Sequence, residues 1–335
     1  MTAHKDLKTV IRERQARTGE SYTAARAHVM RVRAELLGLP DGSTAPGPSP
    51  RVEAIVLKVN LQSVRVLVPS ESLQVTFRAS GAWEVVPGHV VTLVMERRWP
   101  WQDDAYASGA IEDARVDVPK LGLTPLPLRE VAPSSDLRTD HEPFRSPDPY
   151  APLWRKFTAT PRACWEMDPI AWGVDNPTRD AAELAEVGDD ERARALLMDV
   201  LLKDLRCLDA HALLGNLEFD RMPERAQLHY EIGMRIGELS LPPGFDGVLL
   251  WGSIYNRPFL RCLRGYGLCL WRLGHAEEAR AVFERNLSLN PNDNQGARFC
   301  WEYVREGRAW EEMEESDRAE RAEVAERLET LRRRS

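Results

Sequence analysis

The feature that most limits how this chain can fold is a marker pattern that recurs in its C-terminal half. A glycine, an alanine and a large residue recur as Gly188, Ala193 and Leu197, as Gly215, Ala226 and Tyr230, and as Gly267, Ala279 and Phe283. The alanines are spaced 33 and then 53 residues apart. A period near 34 residues is that of one helical hairpin, which cannot bury its apolar face alone and must stack on its neighbours. The longer spacing exceeds that period by about 19 residues, which predicts an insertion near Leu241 to Pro258. An insertion reading LSLPPGFDGVLLWGSIYNRPF is too apolar for a free loop. It is expected to fold back on the repeats, or to form a lid hinged at Gly247 and Gly252.

The fullest unit is Leu260 to Pro291, LRCLRGYGLCLWRLGHAEEARAVFERNLSLNP. Gly267 allows close helix packing, Gly274 makes the turn, Ala279 and Phe283 face the first helix, and Pro291 ends the unit. This pattern resembles the tetratricopeptide repeat (TPR), over Val174 to Pro291. The resemblance implies a solenoid whose first helices line a groove for a polypeptide. It would place Arg261, Arg264, Leu268, Trp271 and Arg272 in that groove. From the second unit it would add Asp209, Asn216, Phe219 and Asp220, with Asn256 and Arg257 beside them. Arginine forks suit carboxylates and Trp271 would serve as an aromatic anchor, so the expected ligand is a peptide with an acidic end. The plainer alternative is that these arginines pair with acids inside the solenoid. After Pro291, Phe299, Trp301, Val304 and Trp310 would cover the last repeat.

Two Pro-rich stretches divide what precedes the repeats. The first, 39–50, reads as a linker. The second, 119–152, holds eight prolines and reads as an extended strap. Between them, 51–118 alternates with period two. Val64, Val66 and Val68 share one face, as do Leu73, Val75 and Phe77, and Val91, Leu93 and Met95. Five short antiparallel strands of this size predict a small OB- or SH3-like β-barrel. Residues 1–38 predict a basic helical hairpin, with eight Lys/Arg against four Asp/Glu. The fold class expected is therefore multidomain α+β: hairpin, barrel, strap, a helical repeat domain over 153–310 and a charged helix over 311–335.

Two segments suggest nucleic acid. Arg97, Arg98, Trp99 and Trp101 set aromatic rings beside cations, as single-strand sites do. Arg26, Arg31 and Arg33 ride the second helix of the hairpin, a layout that suits phosphates. Against this, 51–118 carries nine acids and seven bases. The plainer reading makes Trp99 and Trp101 a plug for the barrel or a docking contact.

No P-loop, GxSxG, HExxH or CxxC motif occurs, so no metal or cofactor is implied. Five cysteines and no apolar leader fit a reduced, cytoplasmic setting. No run of about 18 apolar residues exists, so no membrane span is expected. The leading expectation is a non-enzymatic adaptor or regulator that binds another polypeptide through the repeat groove. The second is a nucleic-acid- or ribosome-associated regulator using the barrel and hairpin. The third is an enzyme with a site between barrel and repeats, which a pocket gathering acids with His211 or His229 would favour. A homodimer through the hairpin or the C-terminal helix stays open.

Overall fold

The computed structural model describes residues 12, 14, 25, 49–101, 104–132, 150–169, 176–316 and 318. Residues 1–50 form one unit and residues 51–335 another. The hairpin expected over 1–38, with Arg26, Arg31 and Arg33, lies outside the described residues, as does most of the charged helix over 311–335.

Five strands close into a barrel in the order β1 (Arg51–Asn60), β2 (Ser63–Val68), β3 (Leu73–Arg78), β5 (Asp104–Val116), β4 (His89–Trp101). The barrel is OB-like, but it corrects the expectation of short, purely antiparallel strands. β3 and β5 pair in parallel, and β4 and β5 each run 13 residues. Alternation fills the interior with Ala54, Val56, Val64, Val66, Val75 and Phe77. Leu73, expected to share that interior, is exposed at the strand's start.

β1 is buried on both faces. Ala54 and Val56 point into the barrel, while Ile55 and Leu57 join the helical core. That explains its unbroken apolar run. Gly88 supports the same junction, since a Cβ there would lie 2.6 Å from Ile232 of the helical part. The outer face of the barrel at Ile55, Leu57 and Val90 thus shares a core with the helices, while the barrel interior keeps its own.

The helices are α1 (Ala151–Thr158), α2 (Pro177–Glu186), α3 (Asp190–Lys203), α4 (Leu208–Glu218), α5 (Pro223–Leu239), α6 (Arg257–Arg272), α7 (Ala276–Leu289) and α8 (Ala297–Arg305). Pro177 opens α2, and the Asn176 side chain accepts from Thr178 and Arg179 N–H groups, a cap for otherwise orphaned donors. From α2 to α8 each helix packs on the next, and α4 and α6 also lie side by side. Most of the marker residues sit at the seams, whereas Gly188 is exposed in the turn before α3 at a φ of +81°. A Cβ on Gly215 or Gly265 would reach 2.5 or 2.3 Å from the Tyr230 ring, and one on Gly267 would reach 2.7 Å from Phe283. Ala193, Ala226 and Ala279 are all fully buried. Trp301, Val304 and Trp310 close the end of the stack, while Phe299 is exposed under Arg298.

The strap is part of this body where it is described. Leu121 and Leu126 are buried, and the Leu126 N–H donates to Ser240 Oγ at 2.8 Å. β6 (Leu128–Val131) pairs antiparallel with β7 (Cys164–Met167).

The insertion is clamped rather than hinged. Val248 exchanges backbone hydrogen bonds with the β7 edge, Val248 N to Ala163 O and Trp165 N to Val248 O, both at 2.9 Å. Arg162 donates to the carbonyls of Asp246, Gly247 and Ser288. Gly247, read as a lid hinge, is packed under Trp165, whose ring a Cβ would meet at 2.4 Å.

Candidate functional site

The first helices α4 and α6 bring most of the expected groove residues onto neighbouring faces, and their states differ. Arg261 is paired with Asp209 at 3.1 Å and lies 5.6 Å over the Trp251 ring. Arg257 flanks the same ring at 5.2 Å and donates to the Trp251 carbonyl. Arg272 donates to the carbonyls of Phe219 and Asp220, which are left open where α4 ends. Leu268 is half-buried against the core.

Three residues expected as peptide contacts are instead structural. Trp271 is 3% exposed, meets Trp310 edge-on at 5.1 Å and donates Nε1–H to the Arg308 carbonyl. A side chain so enclosed cannot anchor a ligand; it holds the end of the stack. Phe219 also meets Trp310, edge-on at 5.7 Å. Asn256 is fully buried and ties β7 to the insertion, accepting from Met167 N–H and donating to the Trp165 and Leu250 carbonyls.

What remains uncommitted on this face is small. Among the described residues Arg264 makes no hydrogen bond or ion pair, and its Nε is buried without a partner. Asn216 is exposed, and its Oδ1 accepts from the Tyr230 hydroxyl at 2.6 Å. Burial raises the Tyr230 pKa, so the phenol stays a donor and holds the Asn216 carbonyl in place. That leaves the Asn216 amide N–H groups free among the described residues. Arg264 carries charge close enough to oppose that rise. Tyr230 itself came from the second helix of its repeat; the sequence marked it only as a packing residue.

Cys262 and Cys269, on α6, are buried free thiols, and burial pushes Cys269 up to about 12. They behave as small apolar groups.

A second polar cluster lies where barrel and helices meet. Glu218 is fully buried and accepts from Arg225 at 2.9 Å and from Arg194. His229 lies beside it and 6.4 Å from His211, whose Nε2 contacts the Leu205 carbonyl at 3.0 Å. Burial lowers the pKa of His211 to about 4 and that of His229 well below its ordinary value. His89, at the start of β4, is also lowered to about 4, by burial first and then by the Arg225 charge. His89 borders a cleft of about 650 Å³ between the barrel and α5, with Glu84 and Glu231 on its walls. His211 and His229 do not reach that cleft. No group of three His, Cys, Asp or Glu side chains that could hold a metal occurs among the described residues. No helix among them is long and apolar enough to cross a membrane.

On the barrel, Trp99 and Trp101 do not plug the interior. Leu93 and Met95 face inward, and unbroken alternation would send Arg97, Trp99 and Trp101 inward too. A bulge between Met95 and Arg97 reverses the phase, so Arg97 pairs with Ser108 and Trp99 with Tyr106 on the outer face. Gly109 permits the bulge, for a Cβ there would fall 1.9 Å from the Val94 carbonyl oxygen. Arg98, one residue out of phase, forks onto Glu71 at 2.7 and 2.8 Å.

No protein family, curated protein or solved structure matches this chain.

Proposed function

We propose that this chain is a TPR-type adaptor or regulator that binds a polypeptide on the face formed by α4 and α6. The observation that supports this best is the Arg264 guanidinium, which makes no hydrogen bond or ion pair among the described residues and whose charge reaches Tyr230, the residue that holds Asn216. Arg264 is half-buried as a whole, so a ligand carboxylate or backbone carbonyl at its accessible edge would gain a charge-assisted hydrogen bond that no group among the described residues now supplies. The Asn216 amide, fixed by Tyr230, is suited to a peptide backbone. Arg261, Arg257 and Arg272 frame the site and are held by the protein's own acids and carbonyls, so they set its walls rather than grip the ligand.

The test is a display of random peptides with free C-terminal carboxylates, probed with the full chain and with Arg264→Glu. The wild type is expected to select acidic-ended peptides. Arg264→Glu is expected to lose them by tenfold or more, as for removal of a charged hydrogen bond of about 1.5–3 kcal/mol. Selection that survives Arg264→Glu unchanged would end the reading.

A further inference from the structure

We propose that the outer face of the barrel is a separate binding site for single-stranded nucleic acid. Its centre is the Trp99–Tyr106 pair, with Arg78 and Arg97 as the phosphate contacts.

The strand register assembles this face from segments that are far apart in sequence. β3, β5 and β4 lie side by side, and their outward residues alternate with buried Val75, Phe77 and Ala107. Thr76 therefore stands beside Tyr106, and Tyr106 beside Trp99. The two rings lie 5.9 Å apart and within 18° of parallel. Arg78 lies 5.9 Å from each ring, and Arg97 lies 5.7 Å from Trp99. Trp101 extends the row and is 43% exposed.

Charge distinguishes these two arginines from their neighbours. Arg65 is held by Asp104 at 2.9 Å, and Arg98 by Glu71. Arg78 and Arg97 are exposed and make no ion pair or hydrogen bond among the described residues. The overall acid excess of the barrel therefore does not describe this face. Two un-neutralised cations flank two near-parallel rings. Stacked bases need such rings, and the phosphates between them need such cations. A duplex hides its base faces, so the arrangement selects a single strand. The geometry also explains the bulge: without it these side chains would crowd the barrel interior.

The test uses the full chain and fluorescein-labelled 12-mers of oligothymidylate and oligouridylate, with a duplex of equal length, at about 50 mM salt. Either single strand is expected to bind at least tenfold tighter than the duplex. Trp99→Ala with Tyr106→Ala should weaken binding by about 5- to 150-fold, the range for one lost stacked base. Trp99→Phe, which keeps a ring, should stay within about threefold, and it covers the case in which the double variant fails to fold. Arg78→Ala and Arg97→Ala should each reduce the slope of log affinity against log salt by about 0.7. Absence of single-strand binding would overturn the proposal. So would equal binding of duplex, or binding that the ring and arginine variants leave unchanged, which would move the contact to another part of the chain. Displacement by polyglutamate at lower charge concentration than by either oligonucleotide would also overturn it, in favour of an acidic protein. None of these outcomes bears on Arg264, so this site and the peptide face stand or fall separately.

Discussion

The α4–α6 face and the barrel's outer face hold the same kinds of residue, arginines beside tryptophans, and use them in opposite ways. Between helices the cations other than Arg264 turn inward. Arg261 spans to Asp209, Arg272 caps the end of α4, and Trp271 packs on Trp310. On the barrel, Arg78 and Arg97 keep their charge uncompensated and Trp99 lies in the surface row. The difference follows from geometry. Neighbouring helices sit about 8–10 Å apart, a gap that a long side chain crosses to reach an acid or a carbonyl. Side chains on a sheet stand up from it, and their partners are fixed by register. A residue's type therefore says less about its availability than the element that carries it.

The sharpest way to break this comparison is to truncate one tryptophan from each region. Trp271→Ala should cost about 3–5 kcal/mol in urea denaturation, as for other buried aromatics. Trp99→Ala should cost about 1 kcal/mol or less, the worth of a cross-strand pair. Equal losses would mean that both rings are structural.

Glu218 is a fully buried charge. Glu218→Ala leaves Arg225 and Arg194, 12% and 32% exposed, without their shared carboxylate and is expected to cost about 1.5–3 kcal/mol, read from the same denaturation curves. A loss below about 1 kcal/mol would show that water reaches the cluster.

Acid should reveal the same junction. His89 and His211 have folded values of about 4 against 6.5 unfolded, so between these limits the unfolded chain holds more protons. Stability is complete above pH 6.5 and should fall as pH drops towards 4. The expected slope is up to about 1.4 kcal/mol per pH unit for each histidine. Denaturation midpoints at several pH values check this, and His89→Phe should remove its share of the slope.

Gly265→Ala drives a methyl group into Tyr230 and should cost about 1–3 kcal/mol. It should also disturb Asn216, which Tyr230 holds. The smallest effect expected is at the Arg261–Asp209 pair. Arg261→Ala should change stability by about 1 kcal/mol or less, since the pair is partly exposed. It should leave peptide selection within about threefold. A large loss there would return Arg261 to the ligand contacts.

Period was legible in the sequence wherever it reported burial. The Ala193, Ala226 and Ala279 series and the valines of β2 are buried as their spacing implied. Gly267 meets Phe283 because the two helices of one hairpin are joined by a short turn and so must pack on each other. What one dimension could not show was pairing. Tyr106 and Arg78 were not singled out, because their place beside Trp99 depends on a parallel β3–β5 ladder and a one-residue bulge. Gly109 in the middle of an alternating strand was the available signal for that bulge. Trp271 looked like an anchor because the Trp310 that covers it lies 39 positions further along the chain. Asn256 and Gly247 likewise found partners in β7, which the sequence reading had not marked as a strand.

The central claim is that Arg264 is the ligand-binding cation of the repeat face. The most direct measurement is the affinity of a selected acidic-ended peptide for the wild type, for Arg264→Glu, and for Arg235→Glu as a charge-matched change on α5. The account predicts a loss of tenfold or more for Arg264→Glu alone, with amidation of the peptide's C-terminus producing a similar loss on the wild type. Equal affinities for all three proteins would contradict it.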